Sequence, residues 1–262
     1  MKINDLFTEM LSYFGHPYDE SCKTCDTFKA GEPDSEIKGV GVSMFATPEV
    51  IKKCTDNGIN FLIVHEPVYY NHFDDEIPNE TARMKKEFLD GSGVTVARYH
   101  DHAHMTNNDL IYTGEIKYSG LLGEKILCNK PAITRYLLDK PMTSKELAAL
   151  LEKNLGIKHI RIAGCTDKPG RKVSCCFGTP NSTYEEFDES DFILIGEVCE
   201  WRLAEMARDC AQLGVNKAVL VMGHIGSERD GMKLLADILK ERHPELAVSY
   251  IECGEVYSYT DD

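Results

Sequence analysis

Several things are scarce or missing in this chain, and each narrows what it can be. No apolar run approaches the ~20 residues that a membrane span requires, and the opening MKINDLFTEM has no secretory apolar region but reads as the start of an amphipathic helix. A cytoplasmic protein without a membrane segment is therefore expected. Positive charge is in short supply: 29 Lys and Arg stand against 43 Asp and Glu, a formal net charge of −14. Such a surface repels phosphates, and no basic stripe offsets it, so nucleic-acid binding is not expected. The phosphate loop G-x-x-x-x-G-K, the dinucleotide fingerprint and the nucleophile elbow G-x-S-x-G are all absent, which removes those routes to catalysis. One C-x-x-C occurs, Cys22 and Cys25 in CKTC, with no second pair at zinc-finger spacing. It reads as incidental, since a redox role would need the pair exposed near a helix N-terminus. The other cysteines, among them Cys54, Cys175, Cys176, Cys199 and Cys210, fall in helical or strand patterns and read as small buried hydrophobes of a reducing compartment.

What is present is ordinary in bulk. The 262 residues, 42% apolar and 27% charged, suffice for one large or two modest globular domains. Helical spacing of Ile3, Leu6, Phe7, Met10, Leu11 and Phe14 predicts a first helix. EIKGVGVSMFA then reads as strand and TPEVIKKCTDNG as helix, with Thr47 as N-cap, Pro48 at the first helical position and Gly58 past the end. INFLIV, NETARMKKEFLDG and VTVARY continue as strand, helix and strand. In the second half ITRYLL, HIRIAG, KVSCCFG, FILIG, KAVLVMG and AVSYIECG read as strands around the helices SKELAALLEKNLG, WRLAEMARDCAQLG and SERDGMKLLADILKER. This alternation predicts an α/β fold: two α/β domains with mostly parallel sheets flanked by helices. The boundary is expected near residue 127, after SGLLGEK, giving domains 1–127 and 128–262. The NST at 181–183 matches a glycosylation motif of no consequence in a cytosolic protein.

Three polar clusters sit just past strand ends, where an α/β sheet places its ligands. In FLIVHEPVYYNH, His65 and Glu66 end an apolar strand and Pro67 keeps Glu66 extended; taken alone, this pair reads as a solvated loop. RYHDHAHM puts three of the nine histidines into residues 100–104. An extended backbone would align His100, His102 and His104, whereas a helical one would align His100 and His104 only. His100 and His104 are the ligands common to both, with Asp101 and His102 as groups that orient them. In VLVMGHIGSERDG, His224 and Glu228 share a face if the helix begins at His224; the bland alternative is an acidic residue favoured at a helix N-terminus. Convergence of His with carboxylate or His at three strand ends is what a hydrolytic metal centre requires.

In order, GVGVSMFATPEVIKKCTDNGINFLIVHEPVYYNH, HDHAH, DFILIGE and GHIGSE resemble the Nif-three-like dinuclear metal-centre family, some members of which carry the name type-two GTP cyclohydrolase I. The likeness runs from Asp26 to the C-terminus. It implies two α/β domains with a two-metal site between the strand ends, assembled as a homo-hexameric ring. Carried over, the ligands are His65, Glu66, His100, His104, His224 and Glu228. The family's usual pattern has histidine where Glu66 stands and aspartate where His104 stands, so the two departures preserve four histidines and two carboxylates. A shift in register would instead make Asp101 or Asp109 the oxygen ligand. Glu200 and Trp201, in GEVCEW, replace a histidine pair often found after that GE.

Two divalent transition-metal ions (Zn, Fe, Mn or Ni) fit such mixed ligands. With them, the expected function is hydrolysis of a small nucleotide-like or cyclic amide substrate, with His102 and Asp101 as catalytic proton-transfer groups and Tyr69 or Tyr70 stacking on a ring. The alternative is a non-catalytic metal-binding scaffold, or a protein of metal storage or delivery.

Overall fold

The computed structural model describes residues 1–13, 23–104, 109–126, 128, 130, 133–179 and 184–260. The chain divides into two compact units, 1–111 with 231–262, and 112–230. The expected boundary at residue 127 thus gives way to two crossings, one within helix α5 (Leu110–Ser119) and one within α9 (His224–Arg242). Residue 127 itself, Cys22 of the CKTC motif and the NST motif lie outside the described residues.

The first unit is built on a five-stranded sheet in the order β1-β4-β3-β2-β11. Its strands are β1 (Phe28–Ala30), β2 (Val40–Ser43), β3 (Phe61–Val64), β4 (Thr95–Arg98) and β11 (Val248–Tyr250). Every pair is parallel except β1 with β4. All four residues of β2, β3 and β4 are buried, so burial does not alternate along them, as in parallel strands covered on both faces. On one face α2 (Pro48–Asp56) and α3 (Glu80–Gly91) bring Val50, Ile51, Cys54 and Leu89 onto Leu62, Val64 and Val96. Each such side chain, fully buried, contributes about 1.5–3 kcal/mol. The α2 N-terminus follows the sequence: Thr47 accepts from the Val50 N–H at 3.1 Å, with Pro48 next. Asn79 caps α3 in the same way. The first helix, α1 (Ile3–Met10), buries Ile3, Leu6, Phe7 and Met10, and Phe7 packs on Phe28 at 4.8 Å between ring centres.

The second unit holds a six-stranded sheet, β5-β6-β8-β9-β10-β7. It comprises β5 (Gly123–Ile126), β6 (Thr134–Met142), β7 (Arg161–Gly164), β8 (Gly170–Cys176), β9 (Phe192–Ile195) and β10 (Ala218–Val221). The pairs β8–β9 and β9–β10 are parallel, and antiparallel pairs close both sides. Helix α6 (Ser144–Leu155) starts at a capping box in which Thr143 and Glu146 satisfy each other's backbone N–H. It ends at Gly156, whose φ of 65° suits a residue without a Cβ. Leu147, Leu151 and Leu155 face the sheet core around Leu220 and Phe192. The short α7 (Glu186–Glu189), a π-helical turn (Glu200–Ala204) and α8 (Glu205–Gln212) complete the unit.

Both sheets are mixed and flanked by helices, the α/β architecture expected; the first is mostly parallel, whereas in the second three of the five strand pairs are antiparallel. The edge strands β1 and β5 and the helix α5 were not foreseen. The last strand also departs from expectation: β11 pairs with β2 and so belongs to the first unit. Of the cysteines expected to be buried, Cys54, Cys175 and Cys176 are, while Cys199 is exposed and Cys210 partly so. Among the described residues no helix is long and apolar enough to cross a membrane.

Candidate metal centre

In the first unit β3 runs directly into His65 and Glu66, whose N–H groups both donate to the Met44 carbonyl. Strand β4 ends at Arg98, and after Tyr99 and His100 the chain makes one helical turn, α4 (Asp101–His104). The helical alternative therefore holds: the His104 N–H donates to the His100 carbonyl, and His100 and His104 share a face. A turn this short cannot stabilise itself, and Asp26 supplies the missing partners. Its Oδ1 accepts the N–H of His100 at 2.6 Å and of Asp101 at 3.0 Å, and its Oδ2 accepts the His102 N–H at 2.8 Å. The His102 ring adds Nδ1 at 2.7 Å. Burial alone would push the Asp26 carboxyl up, but the bonds from His102 and His100 prevail and hold it below the usual carboxylate range.

The rings of His65, His100 and His104 gather 4.6–4.9 Å apart, with one nitrogen of each within 4.8 Å of the others. Each ring has its Nδ1 on an oxygen acceptor. His65 meets the Tyr99 carbonyl at 3.2 Å, His100 meets Asp101 at 2.9 Å and His104 meets Asp109 at 2.9 Å. A carbonyl or carboxylate only accepts, so Nδ1 carries the proton and Nε2 is the lone-pair nitrogen, the tautomer a metal ligand adopts. His65 Nε2 and His104 Nε2 then face each other at 3.1 Å. Two ligands on a tetrahedral zinc with Zn–N ≈ 2.05 Å stand roughly 3.3 Å apart. A proton is a poor substitute there, because burial, then the neighbouring His100 and His104, hold His65 well below the ordinary imidazole range. The donor set fits a divalent transition ion.

Glu66 lies beside this group, Oε1 4.0 Å from His65 Nε2 and Oε2 3.9 Å from Arg98. The carboxylates weighed as alternative ligands occupy the rear of the rings. Asp109 holds His104, and Asp101 accepts from His100, the Thr24 hydroxyl and the Cys25 N–H. Burial would raise the Asp101 carboxyl, but these bonds bring it far below the usual range. His102 is buried against Asp26 and Tyr99. Tyr69 is buried with its hydroxyl on the Lys29 carbonyl, which removes it as a stacking surface, whereas Tyr70 is exposed with Lys85 over its ring. Cys25 is fully buried and burial pushes its thiol up, which is not the profile of a redox cysteine.

The second unit repeats the pattern. Helix α9 does begin at His224. The His224 Nδ1 meets Glu197 at 2.6 Å and the Thr179 hydroxyl at 3.2 Å, and its Nε2 lies 3.1 Å from Glu228 Oε2. In the tautomer that donates Nδ1–H to Glu197, a nitrogen lone pair and a carboxylate oxygen face each other, an arrangement that suits a cation. Glu228 is seated against Gly178 (φ 66°), where an added Cβ would come within 2.3 Å of its Oε1. The sequence reading missed Asp26 and Glu197. Glu197 had a signal, for it follows the apolar FILI as Glu66 follows FLIV; Asp26 had none, since its partners lie more than 70 residues away.

Mixed sheets whose strand ends carry pre-oriented imidazoles and carboxylates define an α/β protein with residue groups able to hold metal ions. The chain belongs to the Duf34/NIF3 (NGG1p interacting factor 3) family, whose model matches residues 1–255. It is similar to the "GTP cyclohydrolase 1 type 2 homolog" of Campylobacter jejuni, at 22% identity over 80% of both chains. The protein of the same name from Clostridium perfringens is 21% identical over 81% of both. Among solved structures, the Staphylococcus aureus hypothetical protein SA1388 shares the fold with a TM-score of 0.76, at 15% identity over 99% of both chains.

Proposed function

We propose that the protein binds two divalent transition-metal ions through His65, Glu66, His100, His104, His224 and Glu228, and hydrolyses a small nucleotide-like or cyclic amide substrate. The observation that carries the reading is the facing of acceptor atoms: Nε2 on Nε2 at 3.1 Å in the first unit and Nε2 on Oε2 at 3.1 Å in the second. Ions held by these residues would supply Lewis acidity and lower the pKa of water in contact with them. The chain's own part is orientation. Tyr99, Asp101, Asp109 and Glu197 hold the Nδ1 protons, and Asp26 fixes the turn that carries His100 and His104. On these contacts we assign Asp101 and His102 to positioning the ligands. The name shared by the two relatives supports a cyclohydrolase-like reaction, and a homo-hexameric ring in the cytoplasm belongs to the same proposal.

A non-catalytic metal-binding scaffold is the second reading, favoured by the closure of the histidine group: His65 is fully buried and the side chains of His100 and His104 are 24% and 17% exposed. A storage or structural site can be closed, whereas a catalytic one keeps an open position. Metal content by plasma mass spectrometry, on protein purified without chelator or tag, tests the shared part. A loss of about two ions per chain on combining His65→Ala with His224→Ala is expected; metal content unchanged by the substitutions would overturn both readings. Turnover of GTP and cyclic phosphoesters by the loaded protein separates the hydrolase from the scaffold.

A further inference from the structure

One motif remains unabsorbed: the cysteine of CKTC that the structure describes. Cys25 Sγ, a ring nitrogen of His72 and a carboxylate oxygen of Asp101 lie within 4.8 Å of one another. They come from the segment before β1, the loop after β3 and the turn α4, so no local pattern brings them together. We propose that Cys25, His72 and Asp101 form a separate, thiolate-containing site for a borderline-soft divalent ion such as zinc, distinct from the histidine group and the His224–Glu228 pair.

The three residues are held in place by different means. The Cys25 N–H donates to Asp101 Oδ2 at 2.9 Å, which fixes thiol and carboxylate as a unit. His72 sits on a loop that bends through two non-glycine residues at positive φ, Tyr70 (69°) and Asp74 (57°). Such conformations are strained for residues with a Cβ and persist only where surroundings enforce them. Here Asp74 accepts the Tyr69 N–H at 2.6 Å, Lys29 pairs with Asp74 at 3.5 Å and donates to the Phe73 carbonyl at 2.9 Å, and the buried Arg98 donates to the His72 carbonyl. These contacts fix the backbone at His72, whose imidazole lies edge-on to Phe73 at 4.6 Å and to His100 at 5.8 Å. Cys25 and Asp101 are buried and His72 is exposed, so the group is closed behind and open towards solvent on one side. That is the form of a three-ligand site with one position left over.

The chemistry follows from the donors. One thiolate, one imidazole and one carboxylate favour zinc or cobalt over magnesium or calcium, which the thiolate disfavours. On binding, the Cys25 S–H bond breaks, a sulfur–metal bond forms and the proton passes to solvent; no electron changes hands. Zinc at about 2.3 Å from sulfur and 2.05 Å from nitrogen places those atoms roughly 3.6 Å apart. The ligand atoms stand within 4.8 Å of one another, and a rotamer shift of the exposed His72 ring would close that spacing. Because Asp101 also holds the His100 Nδ1 at 2.9 Å, an ion here would bear on the orientation of one member of the histidine group.

Cobalt(II) is the probe, since a Co–thiolate bond gives a near-ultraviolet charge-transfer band that imidazole and carboxylate ligands do not. The full chain, stripped of metal, is titrated with cobalt chloride while bound metal is counted by mass spectrometry. The expected result is a band that Cys25→Ser abolishes with loss of about one ion per chain, that His72→Ala weakens by at least ~10-fold in affinity, and that survives in a His65→Ala, His104→Ala double variant. Absence of the band in the wild type, its persistence in Cys25→Ser, indifference to His72→Ala, or its loss with the histidine pair would each overturn the proposal. His72→Ala, an exposed substitution, decides the matter if Cys25→Ser does not fold.

Discussion

Replacing Asp26 by alanine tests how the histidine group is built. The carboxylate is 2% exposed and, besides a long contact from the Cys25 thiol at 3.6 Å, accepts four hydrogen bonds, three from backbone N–H groups at 2.6–3.0 Å and one from the His102 ring at 2.7 Å. Bonds to a charged acceptor are worth about 1.5–3 kcal/mol each, and stranded buried donors cost about 1–3 kcal/mol. The four are not additive, and water will enter the vacated polar space, so Asp26→Ala should lower stability by roughly 3–5 kcal/mol out of a total of about 5–15. Asp26→Asn keeps the shape but turns an NH₂ towards the His102 N–H, and should fall about halfway between. Urea unfolding followed by circular dichroism reads both, with an unchanged slope required for the comparison. Metal affinity should drop about 10–100-fold, as for other groups that orient ligands. The acid side has a definite sign. Since the folded carboxyl lies below its unfolded value, its contribution is complete above about pH 4 and is lost only as pH falls through the depressed folded value. A loss under about 1 kcal/mol with metal affinity intact would refute the account of α4 as a turn held by Asp26.

Gly178→Ala should strain a residue at φ 66° and drive a methyl against Glu228, costing on the order of 1–3 kcal/mol; bound metal should fall, and retention of full metal with wild-type melting would contradict the seat described for Glu228. Glu186 is fully buried between Arg135, Lys130 and Ser174. Burial opposes its ionisation, but Arg135 and these partners bring the carboxyl down to about 2. Its contribution, roughly 3 kcal/mol, should be present above about pH 4.5 and vanish as pH falls towards 2, so the stability gap between wild type and Glu186→Gln closes over that window. Nitrogen-15 spectra of the zinc-loaded protein should show His65, His100 and His104 protonated at Nδ1; an Nε2–H tautomer at any of them would remove that residue from the ligand set.

Legibility followed the range of the interactions. Helices α2, α3 and α6 were readable because helical patterning is local, and for α2 the cap Thr47, which acts within three residues, was visible as well. The strand-end histidines were readable because an apolar run followed by polar residues is itself local. The edge strands β1 and β5 were not, being three and four residues long and without the buried runs of the central strands. Nor was the pairing of Val248–Tyr250 with Val40–Val42, which joins the two ends of the chain in one sheet. A boundary drawn at one point along the sequence cannot describe a unit interrupted by another.

The same distinction governs the site. Residue types at 65, 66, 100, 104, 224 and 228 suggested a ligand inventory, but an inventory does not say which atom of each ring faces inward. That depends on acceptors brought from elsewhere: a carbonyl on Tyr99, and carboxylates on Asp101, Asp109 and Glu197. With the Nδ1–H groups directed at these acceptors, the Nε2 and Oε2 atoms face one another in a low-dielectric setting, where a cation between them would be attracted more strongly than in water. The case for metal therefore rests less on how many histidines the sequence gathers than on the oxygens behind them, and these acceptors are where substitution should separate metal binding from folding.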